Sequence, residues 1–288
     1  MSGGFYLWLH LPYRQFPLKG DAQAGAVHPT VVDLPYADQS DFQKLDLYLP
    51  QSKAPAPLII WFHGGGFAVG DKISMQRQDH SPRPKNPGRH GPYQIQVPDV
   101  AALTAKGYAV ASVNYRLGLI MLTDAHAALA DGKAAVRFLR ANAAAYGIDP
   151  DRFAVWGNSA GGYMAAILGV SGDQNTVFDD ASSRYAKTSP AVQAVIVWFG
   201  AEDRLPIEEL SIAHYLPGAK SLPPFMIANG DADPIISPEQ ARRLQNALAK
   251  AGAKSSLTIL PGAGHEDPQY MLTQMQPSFD FLDRALAR

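Results

Sequence analysis

The sequence predicts an α/β protein with a mostly parallel central sheet, and three observations carry that prediction. Short, continuous apolar runs such as 58–62 and 153–156 are typical of strands buried on both faces. Segments of helical period, about ten residues or longer, alternate with these runs, as βαβ units require. The first two strand-like segments, 30–34 and 45–49, follow one another without a helix between them, which predicts an antiparallel edge.

The remaining elements follow from the same alternation of apolar runs and helical periods. Further strands are predicted at 108–113, 194–199, 224–228 and 256–260. Helices are predicted at 124–145, 160–170, 238–251 and 276–287. Gly147 and Gly252 serve as stop signals, and Ser237 is a suitable N-cap.

We find no repeat and no internal linker, so a single domain over residues 1–288 is expected. The unusual stretch is 71–98, which is polar, rich in Pro, Arg, His and Gln, and long for a strand-to-helix connection. Long irregular segments inside compact domains are usually functional or mobile. Two interpretations stand side by side, a solvated surface insertion and a flap over a functional site.

Composition excludes several classes of protein. Lys plus Arg total 25 and Asp plus Glu total 26, so the formal net charge is −1. This balance carries no electrostatic signature for nucleic acid or an anionic membrane, and it favours a small, weakly charged molecule as partner. The chain has no cysteine, which excludes disulfides, thiolate catalysis and cysteine-based metal sites. The sequence does not indicate an oligomeric state.

A cytoplasmic location is the expectation from the first residues. They are apolar over a short run, with no basic residues before it and no clear small-residue cleavage site, so no signal peptide is predicted. The lack of cysteine is compatible with the cytosol. No run approaches the roughly 18 apolar residues that a membrane span needs.

The first chemical motif is Gly157-Asn158-Ser159-Ala160-Gly161, which matches G-x-S-x-G. It directly follows the predicted strand 153–156 and opens the predicted helix 160–170. That strand–turn–helix setting is the one in which a serine is lifted clear of the sheet as a nucleophile. The helix N-terminus adds partial positive charge beside a developing oxyanion. Ser159 is therefore the predicted nucleophile.

A second motif, His63-Gly64-Gly65-Gly66-Phe67, follows the predicted strand 58–62. Consecutive glycines expose backbone N–H groups and allow a ligand to approach closely. Two of these N–H groups, with the N–H of Ala160, are predicted to form an oxyanion hole, in which each donor is worth about 3 kcal/mol. His63 itself is predicted to be structural.

The base and its orienting acid are sought downstream, because this arrangement runs in the order serine, acid, histidine. His265 lies in a small-residue loop just after the last predicted strand, whereas the alternative, His214, has no strand before it. The acid should follow a strand, and segment 229–234 offers Asp231 and Asp233. Asp233 is favoured because the fourth residue of the G-x-x-D turn points back toward the histidine loop. Asp231 would then stabilise the turn.

At this point the sequence resembles the hormone-sensitive-lipase-like esterases, and within them the bacterial feruloyl- and acetyl-esterase-like branch. The resemblance rests on the two glycine motifs above and on the intervening segments 114–117, 131–142 and 146–152, and it covers roughly residue 41 to the C-terminus. It implies an α/β-hydrolase fold and a carboxylesterase without metal or cofactor. It also implies that Gly65, Gly66 and Ala160 are the oxyanion donors, with Asp233 and His265 as acid and base.

This chain departs from the family pattern at the longer, more polar segment 71–98 and at an N-terminus too short for a full helical cap. The expected activity is hydrolysis of short-chain or aromatic-acid esters, with a small-molecule ester as partner. Candidate pocket residues lie beside the motifs or at a strand end, although core packing explains each equally well; they are Phe67, Tyr163, Trp198 and Phe199.

Three other functions remain open from the sequence. The same three side chains serve amide hydrolases of the peptidase or arylformamidase type, and they serve acyltransferases in which an alcohol replaces water. A non-catalytic binding module with this fold is a further class. The intact set of Ser159, Asp233 and His265 argues against that last class.

Overall fold

The sheet that the sequence predicts is present and has eight strands among the residues described. The structure is a computed structural model that describes residues 27–73, 98–118, 121–200 and 207–287. Most of the polar segment 71–98 lies outside these ranges, so the prediction of an insertion or flap does too. The strand order is β1-β2-β4-β3-β5-β6-β7-β8.

The strands are β1 Val31–Pro35, β2 Lys44–Tyr48, β3 Ala56–Phe62, β4 Ala109–Val113, β5 Ile148–Asn158, β6 Ala194–Trp198, β7 Phe225–Gly230 and β8 Ser255–Leu260. The helices are α1 Val100–Ala105, α2 Met121–Ala141, α3 Ala160–Ser171, α4 Ile212–Tyr215, α5 Pro238–Lys250 and α6 Met275–Ala285. Short 3₁₀ turns cover Ala143–Tyr146 and Glu208–Leu210, and a π-helical turn covers Tyr270–Gln274.

The β1–β2 and β2–β4 pairs are antiparallel, whereas every pair from β4 to β8 is parallel. The predicted fold class is therefore confirmed, including the antiparallel N-terminal edge. Parallel pairing brings the carboxyl ends of β3, β5, β7 and β8 to one edge of the sheet, and the predicted functional residues follow these four strands.

Helices cover both faces of the sheet, which explains why its central strands are apolar throughout. In β3, Leu58, Ile60 and Phe62 join the larger core with helices α2, α3 and α5. Their neighbours Ile59 and Trp61 join a second core with α1 and α6 on the other face. Side chains alternate between the two faces of a strand, so a strand buried on both must be apolar at every position.

Several short elements were not predicted, among them helix α4 and the 3₁₀ turn Glu208–Leu210. Helix α1 has only six residues and comes directly after the polar segment, so its apolar pattern is too brief to stand out. Its N-cap is Asp99, whose side chain accepts a hydrogen bond from the N–H of Ala102 at 2.9 Å. The π-helical turn Tyr270–Gln274 precedes α6 and has no sequence signature of its own. Within the described ranges, no helix combines the length and the apolar character that crossing a bilayer would need.

A buried ion-pair network ties α2 to the connection between α3 and β6. The carboxylate of Asp179 lies 2.9 Å from Lys133 Nζ and 2.5 Å from an Arg137 nitrogen, and it accepts hydrogen bonds from Thr176. The side chain of Lys133 is 1% exposed. Burial acts to raise the pKa of Asp179, but the hydrogen bond and positive charge of Lys133 outweigh it and hold that pKa below its ordinary value.

We expect Asp179→Asn to lower the free energy of unfolding at pH 7 by about 3–5 kcal/mol, because it leaves a buried lysine without its anion. Because the folded-state pKa is depressed, the contribution of Asp179 is complete above the ordinary value of 3.8 and is lost as the pH falls through the lower folded value. The difference in urea unfolding between variant and wild type should therefore narrow on acidification below pH 3.8.

The matched control is Asp180→Asn, one residue away, where the carboxylate lies at the surface and accepts hydrogen bonds from Ser182 and Gln39. This substitution should lower the free energy of unfolding by less than about 1 kcal/mol. A stability difference for Asp179→Asn that is small, or that stays constant on acidification, would contradict this account of the network.

Candidate active site

The sharp turn between β5 and α3 carries Ser159. Ser159 has φ 51° and ψ −122°, a conformation that non-glycine residues rarely adopt. The turn is possible only because glycines flank it. A Cβ on Gly157 would lie 2.2 Å from the Gly161 carbonyl oxygen, and a Cβ on Gly161 would lie 2.0 Å from the carbonyl oxygen of Phe62. Because glycine has no Cβ, the strand, the turn and the helix approach one another more closely than any larger residue would permit.

The structure brings Ser159, His265 and Asp233 into one hydrogen-bonded row. Ser159 Oγ lies 3.0 Å from His265 Nε2, and His265 Nδ1 lies 2.8 Å from Asp233 Oδ2. Since a carboxylate only accepts, Nδ1 carries the proton, and Nε2 is then free to accept from the serine hydroxyl. The Asp233 side chain is fully buried and that of His265 is 11% exposed.

The acid is held firmly by the turn that follows β7. Its second oxygen, Asp233 Oδ1, accepts hydrogen bonds from the N–H groups of Ile235 and Ile236, at 2.8 and 2.9 Å. Asp231 has a different role, because its carboxylate accepts from the N–H of Gly262 at 2.6 Å and braces the turn before His265. The other downstream histidine, His214, pairs with Glu208 at the surface and packs edge-on against the ring of Tyr215.

The glycine loop after β3 lies against the turn that carries the serine. A Cβ on Gly64 would be 3.2 Å from Ser159 Cβ, so the two segments are in contact. Gly65 has φ 114°, and its carbonyl accepts from the N–H groups of Ala68 and Val69 at 3.1 Å. Among the described residues, no backbone carbonyl accepts from the N–H groups of Gly65, Gly66 or Ala160. The assignment of these three N–H groups as oxyanion donors stays a prediction.

Comparison with known proteins agrees with this fold. The BD-FAE family model matches residues 89–217, and the model of the dienelactone hydrolase family matches residues 180–266. A truncated carbohydrate esterase from gut microbiota superimposes with a TM-score of 0.74 at 24% identity, covering 92% of this chain and 99% of that one. A thermophilic esterase from Thermogutta terrifontis superimposes with a TM-score of 0.69 at 22% identity, covering 88% and 94%. The chain has the α/β-hydrolase fold.

Several proteins with similar sequences are named esterases. Esterase LipQ of Mycobacterium tuberculosis is 26% identical over 81% of this chain, and the chlorogenic acid esterase of Aspergillus niger is 24% identical over 80%. The chain spans about half the length of these relatives, 56% and 41% respectively. The resemblance to hormone-sensitive-lipase-like esterases is confirmed by these matches.

The motif Asn114-Tyr115-Arg116 supports the glycine loop, a role that the sequence did not predict. Tyr115 stacks on His63 with ring centres 4.4 Å apart, and its hydroxyl donates to the His63 carbonyl at 2.7 Å. Asn114 Oδ1 accepts from the N–H of Lys72 at 2.6 Å, beyond the other end of the loop. Arg116 pairs with the buried carboxylate of Asp131 at 2.7 Å. The motif thereby holds both ends of the loop.

His63 has the structural role that was predicted for it. Its Nδ1–H donates to the carbonyl of Gly64 at 2.7 Å, and burial lowers its pKa, so the ring stays neutral. Lys72, beyond the other end of the glycine loop, forms ion pairs with Asp46 and Asp33, at 2.7 and 2.8 Å. Within the described residues, no group of three or more histidine or acidic side chains has the arrangement of a metal site.

The four pocket candidates take different positions in the structure. Phe67 packs against Tyr163 with ring centres 6.0 Å apart, and the Tyr163 hydroxyl donates to the Leu210 carbonyl at 2.5 Å. Trp198 is fully buried in the core beneath α6, with its ring 5.0 Å from that of Trp156. Phe199 is also fully buried, with its ring against His265. All four side chains are buried, and their contact with a ligand stays a prediction.

Proposed function

We propose that the chain is a serine carboxylesterase that hydrolyses short-chain or aromatic-acid esters through an acyl-enzyme. One observation carries the proposal, the unbroken row of hydrogen bonds from Ser159 through His265 to Asp233, at 3.0 and 2.8 Å. A serine is a weak nucleophile by itself, and a histidine held in the correct tautomer by a buried acid activates it. The N–H groups of Gly65, Gly66 and Ala160 donate to no backbone carbonyl among the described residues, and they are proposed as the donors that hold the tetrahedral oxyanion.

In the first step, Ser159 Oγ attacks the carbonyl carbon of the ester while His265 Nε2 accepts the serine proton. The carbonyl oxygen becomes an oxyanion that accepts hydrogen bonds from Gly65, Gly66 and Ala160 N–H groups. The buried carboxylate of Asp233 stabilises the imidazolium. The bond to the leaving alkoxide then breaks, and His265 returns the proton to it, so an alcohol departs and the acyl group stays on Ser159.

The second step repeats the first with water as nucleophile. His265 takes a proton from water as the oxygen attacks the acyl carbon, and the same N–H groups hold the new oxyanion. The bond to Ser159 Oγ breaks, the serine recovers its proton from His265, and the carboxylic acid is released. No redox or metal chemistry is needed for either step to balance.

The substrate class rests on the chemistry of the site and on the names of relatives. The balanced net charge of −1 favours weakly charged esters. Among the relatives are a chlorogenic acid esterase and an esterase bound to butyrate, which suggests aromatic and short acyl groups for this chain as well. We propose Phe67, in the loop that contacts the serine turn, as one apolar contact for the acyl group.

The test is hydrolysis of p-nitrophenyl esters from acetate to palmitate, with methyl ferulate as the aromatic-acid substrate. We expect rapid turnover of acetate and butyrate and little turnover of palmitate. A folded protein that hydrolyses none of these esters, or that prefers palmitate, would refute the proposal. Comparison of p-nitrophenyl acetate with the matching anilide separates an esterase from an amide hydrolase. Product analysis with added alcohol separates hydrolysis from acyl transfer.

A further inference from the structure

Two buried aromatic rings stand behind the imidazole of His265 on the side of the sheet covered by α6. The Phe199 ring centre lies 4.8 Å from that of His265, with the ring planes at 71°. Tyr270 lies behind Phe199, with ring centres 4.5 Å apart. Both residues are fully buried. We call Phe199 and Tyr270 the aromatic support.

The backbone is bent specifically to bring the Phe199 ring to His265. Phe199 has φ 37°, which is rare for a large side chain. It follows the last residue of β6, Trp198, yet both side chains belong to the same core beneath α6. The positive φ breaks the usual alternation of faces, which would have sent the Phe199 ring to the other side of the sheet.

Neighbouring contacts hold this strained conformation in place. The Phe199 N–H donates to the Ala228 carbonyl at 2.8 Å. The next residue, Gly200, lies against the nucleophile turn so closely that a Cβ there would be 2.5 Å from the Ser159 carbonyl oxygen. Strained backbone persists only where its surroundings over-determine it, and such residues cluster at functional sites. Among the described residues, the non-glycine positions with positive φ are Asp33, Phe67, Ser159, Phe199 and Glu266.

Tyr270 is the second residue of the aromatic support. It begins the π-helical turn Tyr270–Gln274, and its N–H donates to the carbonyl of Asp267, two residues after His265. Single π-helical turns occur frequently at functional sites. Burial and then the negative charge of Asp233 raise the pKa of Tyr270, so its hydroxyl stays neutral beside the acid.

We infer that Phe199, backed by Tyr270, is a positioning residue that sets the tilt of the His265 ring between Ser159 and Asp233. The inference rests on the proposed function, because it assigns a task within that same site. The two hydrogen bonds of His265 fix the positions of its two ring nitrogens, but the ring can still tilt about the line that joins them. Packing against the ring opposes this tilt, and Phe199 provides that packing.

Phe199→Leu removes the ring while keeping an apolar side chain. We expect it to lower kcat by about 10- to 100-fold, because small misplacements of a catalytic group have effects of this size. KM should stay within about twofold, and the factor should be the same for acetate, butyrate and hexanoate esters. Tyr270→Phe, which keeps the ring, should retain wild-type kcat, whereas Tyr270→Leu should reduce it. Thermal unfolding and the burst amplitude report the folded, active fraction for every variant.

Phe225→Leu is the matched control, because Phe225 is equally buried but belongs to the core on the opposite face of the sheet. It should lose stability without losing kcat per active site. A wild-type kcat in Phe199→Leu would overturn the inference. A loss confined to KM and dependent on acyl length would overturn it as well, because that result would make Phe199 a wall of the acyl pocket.

A readout without turnover separates this inference from the proposed function. The proton between His265 Nδ1 and Asp233 should give a downfield proton resonance in the wild type that Asp233→Asn removes. We expect Phe199→Leu to broaden or shift this resonance, and Phe225→Leu to leave it unchanged. A wild type without ester hydrolysis but with this pattern refutes the esterase proposal alone. Active wild type with an unchanged resonance in Phe199→Leu refutes the positioning role alone.

Discussion

Ser159→Ala is expected to lower kcat for p-nitrophenyl acetate by about 10⁵- to 10⁶-fold while leaving the fold intact. Losses of this size follow removal of the nucleophile in serine hydrolases, with a residual rate that comes from the oxyanion hole and binding alone. Among the described residues, the Ser159 hydroxyl hydrogen-bonds His265 alone, so we expect the fold to tolerate its removal. Replacing a residue of φ 51° by alanine exchanges one L side chain for another and adds no new strain.

Initial rates at saturating ester and thermal unfolding together measure this effect. The matched control is Ser256→Ala in the edge strand β8, an exposed serine on the far strand of the sheet, which should retain wild-type kcat. A Ser159→Ala protein that turns over esters within tenfold of wild type would remove Ser159 from the mechanism. A variant that fails to fold would show instead that the serine hydroxyl holds the turn together.

Asp233→Asn is expected to lower kcat by about 10⁴-fold, because the amide cannot hold His265 in the productive tautomer. An asparagine oxygen can still accept from the N–H groups of Ile235 and Ile236, which now bond Oδ1. Its NH₂ group would then face His265 Nδ1 and donate to it. The imidazole proton moves to Nε2, where it points at Ser159 and leaves no base for the serine hydroxyl.

Asp231→Asn is the matched control, two residues away in the same turn. The Asp231 carboxylate accepts from the N–H of Gly262 at the surface, and an amide oxygen replaces that contact. We expect kcat within about twofold of wild type and a stability change of about 1 kcal/mol or less. The pair of variants distinguishes the two acids that the sequence left open. A large loss in Asp231→Asn with an active Asp233→Asn would reverse their roles.

Much of the candidate site could be predicted because each of its residues follows a strand in a recognisable local motif. A G-x-S-x-G motif between an apolar strand and a helix strongly restricts the conformation of the turn. A Cβ on Gly161 would lie only 2.0 Å from a neighbouring carbonyl oxygen, so only glycine fits there. His265 could be chosen because parallel strands end at one edge of a sheet, so a histidine after the last strand reaches the serine.

Three features were beyond sequence reasoning because they depend on contacts between distant segments. The supporting role of Asn114 and Tyr115 appears only when β4 lies beside β3, which places them against the glycine loop. Phe199 was predicted as a pocket residue, and no glycine in the sequence signals the left-handed backbone that accompanies its ring contact with His265. Helix α1 is too short for its period to be visible.

The sequence was sufficient to predict the fold class, the alternation of strands and helices along the chain, and the local character of the serine turn and the glycine loop. These features depend on apolar periodicity and on glycine, whose effects act over a few residues. Only the tertiary structure decided which carboxylate bonds His265 and which aromatic rings pack behind it. Those choices depend on distances between residues far apart in the chain, such as the 2.8 Å between His265 and Asp233, which only the packed sheet establishes.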